Sequence, residues 1–256
     1  MNSPIRSIRG MNDILPQDVH YWHRLEKTAE GVFAAHGFEQ IRVPLLEKTD
    51  VFTRGIGTAT DVVSKEMYSF DDRNGESLSL RPEGTAGVVR AALQNGLLYG
   101  PVTRLWYGGA MFRYERPQKG RSRQFHQMGA ELFGAPGPDG DAEILALGDQ
   151  LWKRLGLEDL RLEINSLGNS EERRSYREKL YAFLLAHRDE LDDQTNERAE
   201  RNPLRVLDSK DPKVRELLED APLLSGELGE ESRRNYEQMK RYLDRLGIGF
   251  HENPRL

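Results

Sequence analysis

The feature that most restricts this chain's fold is a pair of segments broken by short turns. In EMYSFDDRNGESLSLRPEG, two strand-like runs flank Asn74-Gly75, the strongest short hairpin signal a sequence offers. In TRLWYGGAMFRYE and RQFHQMGAELFG, two more runs flank RPQKGRS, a loop of Pro, Gly and cations. Runs joined so closely pair antiparallel, because a parallel pair needs a crossover of about a dozen residues or more. The periodicity of a doubly wound parallel sheet is missing, as are G-x-G-x-x-G and Walker loops. The expected class is α+β, an antiparallel sheet flanked by helices.

Helical patterns surround these runs. Val19, Trp22, Leu25, Ala29, Val32 and Phe33 form one stripe, closed by Gly37. FEQIRVPLL reads as a strand at an edge or bulge, since Pro44 cannot donate to a ladder. TAGVVRAALQNG reads as a short helix ending at Gly96, DAEILALGDQLWKRLG as a longer one, and LRLEINSLG as a strand. From Ser170 to about Gly247 the texture becomes helical and dense in charge, with stripes at Tyr176, Leu180, Phe183, Leu184 and at Tyr236, Met239, Tyr242, Leu243, Leu246. Three segments are expected: a core at 1–169, a helical module at 170–247, and a return strand at 248–256.

Hydrophobic residues make up 37% and charged residues 31% of the 256, which is polar but not a disordered composition. A net charge of −5 argues against a DNA-coating protein and leaves room for a local basic site. Without cysteine, disulfides, thiolate metal sites and Cys nucleophiles are excluded. The N-terminus lacks the apolar core of a secretion signal and no run is long enough to span a bilayer, so a cytoplasmic protein away from membranes is expected. His20 and His23 lack a third ligand nearby, so no metal site is expected.

In this acidic chain, Arg113, Arg116, Lys119, Arg121 and Arg123 crowd one hairpin. With strands near Gly109–Glu115 and Arg123–Phe133, alternation puts Met111, Arg113 and Glu115 on one face, and Phe125, Gln127, Gly129 and Glu131 on one face of the return strand. If those faces coincide, they suit a ligand with a phosphate, a flat base and an ammonium group. Arginine offers phosphate a rigid fork, Phe125 can stack, Glu131 can pair with an amine, and Gly129 leaves room. The loop cations are expected to project as a flexible polycation able to reach an RNA end, although taken singly such residues are more often solvated surface. Glu83 and Thr85 precede a helix. They read either as its cap or as ligands for an amine.

These stretches resemble class II aminoacyl-tRNA synthetases, specifically the bacterial histidyl-tRNA synthetase family. The resemblance runs from RGMNDILP through GFEQIRVPLLEKTDVF (motif 1), RPEGTAG (the amino-acid loop), MFRYERPQKGRSRQFHQMGAELFG (motif 2) and NPLRVLDSKDP (the insertion domain). It implies that Arg113 is catalytic, on the ATP α-phosphate, and that Glu115, Arg121 and Phe125 bind ATP. Glu83, Thr85, Gln127 and Glu131 would hold histidine, and Arg116, Gln118, Lys119 and Arg123 would reach tRNA. ATP with Mg²⁺, histidine and tRNA(His) are the implied substrates and partners, within a homodimer. The family continues past Leu256 with a histidine-specific segment, motif 3 and an anticodon-binding domain, so these residues are expected to be a partial catalytic region, inactive alone. The alternative is the synthetase-like regulatory subunit of ATP phosphoribosyltransferase, which need not keep Arg113, Arg121 or the cationic loop.

Overall fold

The computed structural model describes residues 4–57 and 60–256; Met1 to Ser3, where the stretch read for a secretion signal begins, lie outside them. The chain divides into two compact units, Met1–Pro136 with Leu147–Leu157, and Gly137–Ala146 with Glu158–Leu256.

The first unit opens with α1 (Val19–Ala35), which buries Ala29, Val32 and Phe33 and stops where Gly37 takes φ +74°. The run read as one strand after it is two short pieces, β1 (Glu39–Gln40) and β2 (Leu46–Lys48). Pro44 sits in the extended gap between them, where its missing N–H does no harm. Then come α2 (Thr49–Ile56), a single π-turn at Val62–Glu66, and the hairpin β3 (Ser69–Asp71) and β4 (Ser77–Leu80). Its turn is wider than a two-residue one. The Asp72 Oδ1 accepts from the backbone N–H groups of Asn74 and Glu76 at 2.8 and 2.9 Å, and Gly75 alone takes a positive φ, +81°.

Helix α3 (Thr85–Gln94) leads to the long hairpin, β5 (Thr103–Phe112) and β6 (Gln124–Phe133). The sheet orders are β1-β5-β6 and β2-β4-β3. Both hairpins are antiparallel as expected, while β1 pairs with β5 in parallel, Glu39 opposite Leu105. Val88 and Ala92 of α3 pack on Leu105, Tyr107 and Met111 of β5, all buried. Burying each large apolar side chain stabilises by roughly 1.5–3 kcal/mol, which fixes α3 against one face of the hairpin. Arg81, 5% exposed, braces the two sheets: its Nε donates to Ala110 O and its Nη1 to Val43 O, at 2.9 and 3.0 Å.

Helix α4 (Pro138–Leu155) contributes its second half to this unit and its first half to the other. In the second unit, β7 (Glu163–Ile164) pairs in parallel with β8 (His251–Glu252). Between them run α5 (Ser170–Ala186), α6 (Asp193–Arg201), α7 (Pro212–Leu218) and α8 (Glu230–Arg245). Tyr176, Leu180 and Leu184 of α5 form a core with Val206, Val214 and Leu218, while Met239 and Leu243 of α8 pack on Ile164 and Ala142. Composition changes at 169/170, whereas the compact units part at 157/158, because β7 pairs with β8 and shares the α8 core. Among the described residues, no helix is long and apolar enough to cross a membrane.

Candidate active site

The hairpin register decides which side chains meet. Leu105 stands opposite Glu131, Tyr107 opposite Gly129, Gly109 opposite Gln127 and Met111 opposite Phe125. Alternation therefore gathers Phe125, Gln127, Gly129 and Glu131 on the face that α3 covers in part. His126, on the other face, is exposed, with its ring centroid 4.3 Å from that of Trp22.

At one end of the face the predicted amino-acid ligands converge. Thr85 Oγ1 donates to Glu131 Oε1 at 2.7 Å. Glu83 caps the helix: its carboxylate accepts from the backbone N–H groups of Thr85 and Ala86, at 2.5 and 2.9 Å. A carboxylate at a helix N-terminus is favoured by both the free N–H groups and the helix dipole. Burial raises the pKa of Glu131, the Thr85 hydrogen bond opposes this, and the Glu83 charge adds to the rise. Gln127 Oε1 is buried and has no hydrogen-bond partner among the described residues. A buried acceptor left unpaired is costly, and here it lies on the strand between the carboxylate end and Phe125.

At the other end lies Arg113, just past β5. Its N–H donates to Arg123 O, its Nε donates to Pro82 O at 2.9 Å, and its guanidinium carbon lies 5.1 Å from the centre of the Phe125 ring. A cation held over an aromatic face is a favourable arrangement. Glu115 is not on the strand face predicted for it. The strand ends at Phe112, Glu115 N–H turns back to Arg113 O, and the side chain pairs with Arg121 Nη1 at 3.4 Å.

The loop beyond is not a flexible polycation. Gln118 and Arg121 exchange backbone hydrogen bonds of 3.1 and 2.9 Å around Lys119-Gly120, with Gly120 at φ +79°. Arg116, Gln118, Lys119 and Arg121 are exposed, whereas Arg123 folds back. Its guanidinium sits 4.2 Å from the Tyr114 ring centre and its Nε donates to Glu115 O. The N-terminal segment holds this loop down: Gly10 O accepts from the N–H groups of both Arg123 and Gln124, and a Cβ at Gly10 would lie 2.8 Å from Pro117 Cγ.

Sequence reasoning missed two residues here. Glu66 ends the π-turn, and its carbonyl accepts from Tyr114 N–H at 2.6 Å. Burial raises the pKa of its carboxyl, the Glu115 charge adds to the rise, and Arg113 opposes it. The other is Tyr107, whose ring fills the space above Gly129 that was expected to be open. No group of three or more His, Asp or Glu side chains among the described residues could hold a metal ion.

A family model of histidyl-tRNA synthetase matches residues 10–247. The apo histidyl-tRNA synthetase of S. aureus superposes with a TM-score of 0.76 at 36% identity, over 98% of this chain and 57% of that one. The chain belongs to the histidyl-tRNA synthetase family.

The family match contains the whole β5–β6 hairpin, α3 and the helical module, and stops before β8. The chain spans a little over half of the S. aureus synthetase, 57% of its length. Two more distant structures share the fold. An ATP phosphoribosyltransferase regulatory subunit/histidyl-tRNA synthetase from Bacillus halodurans matches at TM-score 0.67 and 20% identity, over 100% of this chain and 70% of that one. A histidine–tRNA ligase subunit from Alicyclobacillus acidocaldarius matches at 0.63 and 18%, over 100% and 82%. The histidyl-tRNA synthetase fold thus extends to proteins with little sequence in common with this chain.

Proposed function

We propose that these residues form part of the catalytic region of a histidine–tRNA ligase. The ligase activates histidine with ATP and transfers it to tRNA(His). The observation that carries this reading is the division of the hairpin face. Carboxylates occupy one end, Arg113 over Phe125 the other, and the unpaired Gln127 oxygen lies between them. From Phe125 to Glu131 the strand advances about 20 Å, room for an extended ligand with an ammonium group at one end and a phosphate and base at the other.

In the proposed reaction a histidine carboxylate oxygen attacks the ATP α-phosphorus. The bond to the bridging oxygen of the β-phosphate breaks, and pyrophosphate leaves with the electron pair. Negative charge builds on the non-bridging α-phosphate oxygens, and Arg113 would meet it. A fixed donor of this kind is worth more in the transition state than in the ground state. Phe125 would exchange its guanidinium neighbour for adenine, with Glu115 at the base edge and Arg121 on the distal phosphates. Mg²⁺ would enter with ATP as part of the substrate. Glu131, Thr85, Gln127 and Glu83 would hold histidine. The exposed Arg116, Gln118 and Lys119 remain candidates for tRNA contact, Arg123 less so because its guanidinium is already engaged. The insertion role of 170–247, a homodimer and a cytoplasmic setting belong to the same proposal.

The alternative, a regulatory subunit of ATP phosphoribosyltransferase, draws on the fold shared with the B. halodurans protein. Retention of Arg113, Arg121 and an ordered cationic loop favours the ligase, because a binding module needs none of them. Histidine-dependent ATP–pyrophosphate exchange, measured on the natural full-length protein, separates the two. Exchange above background is expected. Its absence, together with activation of ATP phosphoribosyltransferase on mixing, would establish the regulatory reading.

A further inference from the structure

Arg81 carries more charge than its place in the fold requires. It is 5% exposed, and its Nε and Nη1 donate to Ala110 O and Val43 O at 2.9 and 3.0 Å. Those two carbonyls satisfy two of its nitrogens without neutralising it. Burial lowers its pKa, Tyr107 opposes this, and no carboxylate among the described residues does so. A buried charge without a counter-charge is costly. A brace between two carbonyls needs only donors, and neutral side chains supply those. The brace therefore accounts for the hydrogen bonds of Arg81 and not for its charge.

The third nitrogen shows where the charge is directed. Nη2 makes no hydrogen bond among the described residues. It lies over Gly109, where an added Cβ would be 2.5 Å from it, so glycine is what lets the guanidinium rest against the strand. Gly109 stands opposite Gln127. Directly opposed residues share a face, so Nη2 lies on the face that carries Phe125, Gln127 and Glu131. The Gln127 Oε1 is buried and without a partner. The middle of the face thus holds a charged donor and a neutral acceptor that do not satisfy each other. Along β6, Glu131 lies to one side of them and Phe125, with Arg113 over it, to the other.

We infer that Arg81 is a further substrate-binding residue: its Nη2 meets the anionic link between the amino acid and the α-phosphate at the middle of the hairpin face. The inference rests on the ligase reading of that face. Under that reading a carboxylate and a phosphate, both negative, have to come together before they react. Like charges repel strongly where the dielectric is low, and a fixed cation beside them lowers that cost. One negative charge stays on the link once the two are joined. Arg81 is suited to meet it because two carbonyls already hold its guanidinium, so nothing has to reorganise when the ligand arrives. Arg113 serves the side toward Phe125, and Arg81 the side toward Gln127.

The test is calorimetric titration of the natural full-length protein with two analogues of the joined product. One is the acyl sulfamate of histidine and adenosine, whose linking nitrogen is ionised. The other is the matching sulfone, whose link is uncharged. The unaltered protein is expected to prefer the acyl sulfamate. Arg81→Lys should weaken the acyl sulfamate by about tenfold and move the sulfone by less than about twofold, as expected for losing one hydrogen bond to a charged group. Equal weakening of both analogues leaves Arg81 a brace and overturns the inference, as does no change in either. Arg113→Ala leaves Arg81 in place and covers the case of Arg81→Lys failing to fold. It should retain the preference for the acyl sulfamate, and loss of that preference overturns the inference. Equal binding of the two analogues by the unaltered protein also overturns it and leaves the ligase reading standing. An unaltered protein that binds neither analogue overturns the ligase reading, and this inference with it.

Discussion

Glu131 in the first unit and Glu172 in the second are both carboxylates close to the start of a helix, and they are treated in opposite ways. Glu172 is saturated. It accepts from Asn169 N–H at 2.8 Å, completing a capping box at the start of α5, and from Gly229 N–H and Ser232 Oγ at the start of α8, at 2.9 and 2.7 Å. Burial tends to raise its pKa, but the bonds from Asn169, Ser232 and Gly229 outweigh that and hold it below the usual carboxylate range. Among the described residues the Glu131 carboxylate has one hydrogen bond, from Thr85, and burial leaves its pKa raised. The saturated carboxylate joins the ends of two helices. The under-satisfied one lies on the same face as a buried amide oxygen with no partner. In this chain, incomplete hydrogen bonding separates the candidate site from a joint more clearly than charge does.

The largest test of that contrast is Arg113→Ala. Under the proposed function it should slow histidine-dependent ATP–pyrophosphate exchange by about 10²- to 10³-fold, in line with removal of one preorganised transition-state donor. Histidine affinity should barely move. An unchanged exchange rate would break the link between this face and chemistry.

Glu83→Ala probes a residue on the border of the contrast, a cap that is also proposed as a ligand. Loss of the cap should lower stability by about 1 kcal/mol, read by urea denaturation. Loss of the ligand should weaken L-histidine by about 1.5–3 kcal/mol, read by calorimetry. A stability loss with unaltered affinity would leave Glu83 a joint like Glu172.

The smallest effect concerns pH. A depressed folded pKa means that the contribution of Glu172 is present above the ordinary carboxylate range and is lost as pH falls through the lowered value. For Glu131 the sign reverses: with a raised folded pKa, the folded state takes up the proton first, and the contribution falls as pH rises through the window between the unfolded and folded values. Glu172→Gln should cost about 1 kcal/mol at neutral pH and flatten the acid limb of the second unit's stability, followed by urea titrations at a series of pH values. An acid limb identical to that of the unaltered chain would remove Glu172 from its joint role.

The parts of the molecule legible in the sequence are those governed by local periodicity. The α1 stripe and its glycine stop, the α5 stripe, and the alternation that puts Phe125, Gln127 and Glu131 on one face all follow from one element's own geometry. The misses came from partners outside the element itself. Glu115 leaves its strand because Arg123 and Arg121 draw it into the loop. The cationic loop is ordered because Gln118 and Arg121 bridge it and Gly10 holds its base. Tyr107 was readable in principle: once QMGAEL is set against the strand holding WYGGAM, Gly129 falls opposite it. Gly84, where an added Cβ would run into the Tyr107 ring, was not, since it arrives from a separate loop. Glu66 gave no signal at all, because its place depends on a backbone hydrogen bond from Tyr114.

The carbonyl of Gly10 has a consequence for the order of events during synthesis. A chain emerges from the ribosome N-terminus first, so RGMNDILP is exposed well before Arg123 and Gln124, the residues whose N–H groups it accepts. The β5–β6 turn can close early, since hairpins form within microseconds, but its base cannot be secured until the earlier-made segment around Gly10 has found it. The cationic loop is therefore expected to be among the last parts of the first unit to become ordered, and a substitution at Gly10 would delay that step while leaving the local pairing of the hairpin intact.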